Sequence, residues 1–339
     1  MSKAGGVIKA LGAQADQGGA AIQAALVETD GVTIATFGDT ARATLPPKGN
    51  GDLAERVETA CARAMSGLPG ARIAGFDGPV LHHDPGAGQL IQAGDGSILA
   101  EVLGLPVVWD MRTSDMALGG QGAPLAAFFH HACARWAGLT GPAAFLGLGD
   151  RAVLTYVDPR LARAEDAGAC IGFDAGPGPC LQDARGGPGM ADASLVAGLL
   201  RQAHFFRMPP KWAQPGVFIG FRQGLGRLSS ADAAATARAA LAACVARGFE
   251  YFPHPVAQLF VYGPGRDAPM VLSDLVSAVP CPVACVEALG LNGDALGAQA
   301  IAWLAVRIAR GLPTTGPQTT GVAAAVSGGR ISRPMAGSE

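Results

Sequence analysis

Twice in this chain a short apolar run, a polar glycine-bearing turn and a second apolar run head a stretch of alternating strands and helices. No other feature limits the fold so much. The first instance is Val7 to Ala13, then Gln14-Ala15-Asp16-Gln17-Gly18-Gly19, then Ala20 to Glu28; Thr29-Asp30-Gly31 turns into a third strand at Val32 to Phe37. The second is Ala143 to Leu148, Gly149-Asp150-Arg151, and Ala152 to Val157. A chain that restarts in the same way halfway along reads as two related halves, with a boundary near Phe128. Between Asp52 and Leu68, residues Leu53, Val57, Cys61 and Met65 recur at helical spacing, and Gly67 with Pro69-Gly70 stops that helix. Gly94 to Leu103, Pro124 to Ala137, Ala191 to Phe206, Ser230 to Gly248 and Asp294 to Arg310 read as further helices. Arg72 to Phe76, Leu105 to Val108, Ala257 to Tyr262 and Pro282 to Val286 read as strands, and His82 to Gly86 as a loop.

The pattern predicts an α/β protein of two lobes around a central cleft, the actin/hexokinase-like plan. The first lobe is expected over 1–128 plus about 315–339, the second over 129–314. Within the second lobe, Gly172-Phe173-Asp174-Ala175-Gly176-Pro177-Gly178-Pro179 concentrates the chemistry. A strand over Cys170 to Phe173 ends at an acidic residue, and a turn follows in which Gly176 and Gly178 permit positive φ and close approach to a ligand. Asp174 then either projects outward at a strand end, where open α/β sheets place their chemistry, or caps its own turn through an Asx hydrogen bond. Trp109 to Ser114, with Asp115 and the glycine-rich Gly119 to Pro124, is a second dense polar stretch of the kind found at functional loops or hinges.

Composition narrows the partners. Only 15% of residues are charged and the formal net charge is −2, so neither a nucleic-acid footprint nor an acidic tail is present. The longest apolar runs are broken by Gly, Pro or charge, which argues against a membrane span. The opening residues lack the features of a signal peptide, and seven scattered cysteines read as reduced thiols of a cytoplasmic protein, with Cys281 and Cys285 too isolated to hold zinc. His82-His83 and His130-His131 are adjacent pairs whose rings diverge, so no metal site is expected.

Many short blocks resemble the anhydro-N-acetylmuramic acid kinase family over nearly the whole chain. They are Ala25 to Gly31, Gly94-Asp95-Gly96, Asp110-Met111-Arg112, Asp115-Met116, Gly119 to Leu125, Phe173-Asp174 with Gly176 and Gly178, Pro209-Pro210-Lys211, Gly263 with Gly265, Gly293-Asp294-Ala295, Ala302 to Ala305 and Thr320-Gly321. The resemblance implies a sugar kinase that uses ATP and magnesium to open a 1,6-anhydro ring with water and phosphorylate the 6-hydroxyl, in peptidoglycan recycling. It also implies a homodimer, with Asp174 as general base. Arg112 and Asp115 would either hold the sugar's carboxylate and hydroxyls or pair with each other to brace the cleft loop, Gln121 would either contact the ligand or, as favoured, only turn the chain, and Gly176, Gly178, Gly263 and Gly265 would meet the nucleotide.

The chain departs from that family at its phosphate turns. The family's M-S-G-T-S-x-D-G-x-D stands here as Gln14 to Gln23, with its two aspartates replaced by Ala20 and Gln23. H-G-Q-T is Asp77 to Val80, S-T-G-R-E is Trp212 to Gly216, Pro264 interrupts the third glycine turn, and a glutamate of the last helix is Gly297. Asp16 and Asp150 bring carboxylates into two of the turns. A carboxylate ~5 Å from a phosphate charge, at an effective dielectric of ~20, costs roughly 3 kcal/mol. These departures predict a non-catalytic paralogue, a pseudokinase. Asp174 would be vestigial, the glycines remnants, and no cofactor bound, with a protein partner or small molecule taken instead. Active kinase, with ATP and magnesium, and an enzyme of another class reusing the cleft are the alternatives.

Overall fold

The computed structural model describes residues 6–15, 20–49, 51–179, 189–214 and 216–335. The first half forms β1 (Ile8–Ala15), β2 (Ala21–Thr29), β3 (Ile34–Thr44), α1 (Leu53–Ser66), β4 (Ile73–Asp77), β5 (Val80–Asp84), β6 (Gln89–Gln92), α2 (Gly96–Leu103), β7 (Val107–Trp109), α3 (Thr113–Ala117) and α4 (Ala127–Trp136). The second half continues with β8 (Ala143–Leu148), β9 (Arg151–Val157), β10 (Cys170–Pro177), α5 (Ala193–Leu200), α6 (Ile219–Leu225), α7 (Ser230–Gly248), β11 (Leu259–Tyr262), α8 (Pro269–Ala278), β12 (Val283–Cys285), α9 (Leu296–Ala309) and β13 (Arg330–Ser332).

Two sheets carry the same topology. One runs β3-β2-β1-β4-β7 with β13 added at its edge; the other runs β10-β9-β8-β11-β12. In each, the first three strands are antiparallel and the fourth and fifth join parallel to the first. The echo of two hairpins is therefore a duplicated five-stranded unit, and the fold is the two-lobed actin/hexokinase-like one. Central strands β4 and β8 are buried along their whole length, as apolar runs in a doubly covered sheet must be, while edge strand β3 alternates with exposed residues.

Local chemistry sets the helix ends. Asp52 and Glu55 form a reciprocal capping box at the start of α1 (Glu55 N to Asp52 Oδ1 3.0 Å, Asp52 N to Glu55 Oε2 3.1 Å). Asp95 caps α2, which Gly104 ends in the left-handed region.

Helix α9 packs across β1, β2 and β4, although the expected boundary puts it in the second lobe. The reason lies in two strand glycines. A Cβ on Gly12 would collide with the Ala298 carbonyl, and one on Gly75 would stand 2.5 Å from the Ile301 carbonyl. Bare backbone there lets the helix lie directly on the first sheet. Other differences are local. His82 and His83 belong to a β5–β6 hairpin, and Ala191 to Phe206 divides into α5 and a short 3-10 turn at Ala203–Phe206. Among the described residues no helix is long and apolar enough to cross a membrane.

Candidate active site

A cavity of about 650 Å³ lies between the sheets, walled on one side by Gln14, Arg112 and the start of α9, and on the other by Arg151, Asp174 and Tyr262-Gly263-Pro264. Strand ends, not loops alone, deliver the polar groups. Gln14 is near the end of β1, Arg151 opens β9, and Gly263 follows β11 in the left-handed region (φ 83°). Arg112 arrives by a tight turn after β7. Asp110 takes φ 51°, and its carboxylate accepts from Thr113 Oγ1 (2.5 Å) and Arg330 Nε (2.9 Å).

Asp174 is 4% exposed and lies inside β10, not at its end. A bulge between Asp174 and Gly176 lets pairing with β9 continue to Pro177, where a terminating turn was expected. Neither reading from spacing describes its carboxylate fully: it faces the cavity, but it does not cap its own turn. Oδ2 accepts from Arg151 Nη1 and from the Ala213 amide, each at 2.9 Å. The main chain is held as firmly, with Asp174 N–H donating to the Lys211 carbonyl (2.9 Å) and the Asp174 carbonyl 2.8 Å from His204 Nε2. Burial raises the carboxyl pKa above the ordinary aspartate value, and the Arg151 charge and the two donors offset part of that rise.

The Pro209-Pro210-Lys211 connector thus serves as a rung beside β10. Its lysine is 2% exposed, its ammonium sits 4.2 Å from the centre of the Tyr251 ring, and burial pushes its pKa down to about 8. Trp212 follows, with the Arg151 guanidinium 5.0 Å from its ring centre and the tilted His83 ring 4.5 Å away. His83 comes from the β5–β6 hairpin of the first lobe, so this ring contact joins the lobes beside Asp174.

The expected ligand residues separate into two groups. Arg112 lines the cavity. Asp115 does not: it is wholly buried, and its oxygens accept from the Gly122 amide (2.7 Å) and from the Thr315 and Thr320 hydroxyls (2.6 Å each). Of its two expected roles the sugar contact is corrected and the brace stands, made with two hydroxyls and an amide instead of with Arg112, which pairs with Asp77. Gln121 is likewise spent on structure. Its Nε2 donates to the Pro210 carbonyl (3.0 Å), and its Oε1 accepts the Trp212 amide (2.5 Å). Gly176 and Gly178 do not adopt positive φ. They are glycines because a side chain on the first would meet Cys244 and one on the second would meet the Gly149 carbonyl. Of the third turn, Gly263 lines the cavity, while Gly265 packs against Leu148 and Pro179.

The predicted electrostatic conflict also changes. Asp16 lies outside the described residues. Asp150 is exposed at the hairpin tip and does not line the cavity, whereas its neighbour Arg151 does. Three arginines (Arg42, Arg112 and Arg151) and two aspartates (Asp174 and Asp294) are among the lining residues, a balance that suits an anionic ligand. Arg151 as the partner of Asp174 was not foreseen. The bulge that brings the two side chains together has no signature in strand periodicity.

The chain matches the model of the family "Anhydro-N-acetylmuramic acid kinase" over residues 61–334. It is 46% identical to the anhydro-N-acetylmuramic acid kinase of Cereibacter sphaeroides over 98% of each chain, and 42% identical to anhydro-N-acetylmuramic acid kinase 1 of Jannaschia sp. over 93% of this chain and 92% of that one. An inorganic polyphosphate/ATP-glucomannokinase from Arthrobacter overlays at a TM-score of 0.43 and 15% identity, covering 90% of this chain and all of that one. These full-length similarities to proteins that carry the kinase's name overturn the expectation of a non-catalytic paralogue, and with it the reading of the chain as no enzyme. The geometry removes one of the physical grounds for that expectation: the second turn offers the cavity Arg151, not the Asp150 carboxylate.

Proposed function

Because the chain belongs to the anhydro-N-acetylmuramic acid kinase family, we propose that it phosphorylates 1,6-anhydro-N-acetylmuramic acid with ATP and magnesium, water opening the anhydro ring in the same reaction. The observation that carries this reading is the Arg151–Asp174 pair, 2.9 Å apart in an arginine-lined cavity between the lobes. Both hydrogen bonds described for the carboxylate fall on Oδ2, which leaves Oδ1 to receive a proton. A pKa raised by burial makes that carboxylate a better base than an exposed aspartate. Asp174 would take a proton from water as the water oxygen bonds to the anomeric carbon. The anomeric carbon–O6 bond breaks, and O6 accepts the γ-phosphoryl group as ADP departs.

Arg151 holds the base in its ionised, oriented form and adds positive charge where the phosphoryl group would pass. Arg112 suits the sugar's carboxylate, since a guanidinium meets a carboxylate in a planar fork. Gly263 and Gly293 leave backbone at the cavity wall for the nucleotide. Among the described residues no three His, Cys, Asp or Glu side chains converge as a metal-ligand set, so magnesium would be held chiefly by the phosphates it accompanies. A homodimer in the cytoplasm completes the proposal, resting on the family resemblance; light scattering of the purified protein tests the dimer.

The direct experiment incubates purified protein with 1,6-anhydro-N-acetylmuramic acid, ATP and magnesium, and weighs the product. A sugar heavier by one water and one phosphoryl group is expected, with Asp174→Asn slower by about 100-fold or more. Absence of that product from well-folded wild-type protein refutes the proposal.

A further inference from the structure

Asp77 is the last residue of β4 and is 4% exposed, yet three donors from separate parts of the first lobe converge on it. Arg112 Nη2 donates to Oδ2 at 2.7 Å, Gln14 Nε2 to the same oxygen at 3.2 Å, and Gln92 Nε2 to Oδ1 at 2.8 Å. Gln14 and Asp77 stand opposite each other in the parallel β1–β4 pair, so their side chains leave the same face. Gln14 has room there because residue 297 is glycine: a Cβ at Gly297 would collide with Gln14 Oε1. Asp77 is not among the residues lining the cavity, whereas Gln14 and Arg112 both are.

The state of Arg112 shows what the arrangement does. Its Nη1 donates to the Gly122 carbonyl (3.0 Å) and its Nη2 to Asp77, but its Nε is buried with no partner. Two anchors fix the plane of the guanidinium and leave one nitrogen, Nε, without a partner. A guanidinium fixed in this way at the cavity wall presents a planar fork of donors to an acceptor that arrives with a ligand.

We infer that Asp77 is a positioning residue. From behind the cavity wall it locks Arg112 so that the guanidinium meets the sugar's carboxylate in a fixed orientation, and through Gln14 it ties that clamp to the strand leading into the first turn. This rests on the kinase reading above.

The test uses the full-length protein and two sugars, the acidic 1,6-anhydro-N-acetylmuramic acid and the uncharged 1,6-anhydro-N-acetylglucosamine. Asp77→Asn keeps the size and one acceptor oxygen but removes the charge that orders Arg112. The expected result is a rise of about tenfold in KM for the acidic sugar with kcat within about threefold, an unchanged KM for ATP, and reduced preference for the acidic over the uncharged sugar. Asp77→Glu, which keeps the charge, should recover part of that preference, and it carries the test if the asparagine variant fails to fold. Unchanged KM and preference in a folded, active variant overturn the inference. A wild-type protein that makes no product refutes the kinase reading instead. Calorimetric titration of the acidic sugar into wild type and Asp77→Asn then decides the clamp alone, equal affinities overturning it and weaker binding by the variant supporting it.

Discussion

Arg151 Nη1 reaches Asp174 Oδ2 across 2.9 Å even though the two residues are not opposite each other in the β9–β10 ladder, where Arg151 faces Pro177 and Asp174 faces Val153. The bulge between Asp174 and Gly176 closes that offset. The pairing predicts how activity should depend on pH. Burial raises the Asp174 pKa and the Arg151 charge lowers it. A base must be ionised, so the acid limb of the rate profile reports this group. Removing the positive charge lets burial act unopposed, and Arg151→Gln should move that limb of log(kcat/KM) to higher pH by about one unit. A limb that stays in place or moves to lower pH contradicts the assignment.

Asp115→Ala should unfold the protein before it alters catalysis. The substitution strips the acceptor from two buried threonine hydroxyls and an amide. A loss of about 3 kcal/mol in urea unfolding is expected, with KM for the sugar close to wild type in whatever protein remains folded. A large rise in KM at undiminished stability would return Asp115 to the ligand.

Two glycine-to-alanine substitutions against the same helix should have opposite effects. At Gly12 the new methyl meets the backbone of α9, which cannot retreat without lifting the helix from the sheet, so a loss of about 1–3 kcal/mol is expected. At Gly297, in the first turn of α9, it meets only the far end of the Gln14 side chain. Stability there should hold or improve by up to about 1 kcal/mol from helix propensity. The KM for the acidic sugar should rise as Gln14 leaves Asp77. Equal urea midpoints for the two variants would show that the contact with α9 is not tight.

Acid should weaken the fold well above the range of the carboxylates. His83, His130 and His204 are held neutral chiefly by burial, with pKa values lowered to about 4, about 3 and about 4. The unfolded chain takes up these protons near pH ~6.5, the folded chain only near or below 4, so the stability they contribute is present above ~6.5 and is lost as pH falls toward 4. Each missing proton steepens the decline by up to about 1.4 kcal/mol per pH unit. Urea midpoints measured between about pH 7 and about pH 5 should fall, and less steeply in His130→Asn. Parallel profiles for the two proteins would exclude His130 as a contributor.

The duplicated hairpins, the helix stripes and the glycine punctuation could be read from the chain alone because each is local: the spacing of apolar residues, a cap, a turn. Membership of the kinase family was legible for the same reason, in short blocks kept in order. The error lay in turning the departures in those blocks into lost function. That step assumed that a residue in a turn faces the ligand because its sequence neighbours do. Asp150 and Arg151 are adjacent, and only the twist of the hairpin decides which of them the cavity meets.

Sequence by itself determined the elements and their order, since backbone sterics and burial of an apolar face act within a few residues. Tertiary structure alone decided which polar groups meet. Asp77 gathers donors from positions 14, 92 and 112, Asp115 from 122, 315 and 320, and Asp174 from 151 and 213. A buried carboxylate must be satisfied by whatever the fold brings within about 3 Å, and separation along the chain carries no trace of that distance.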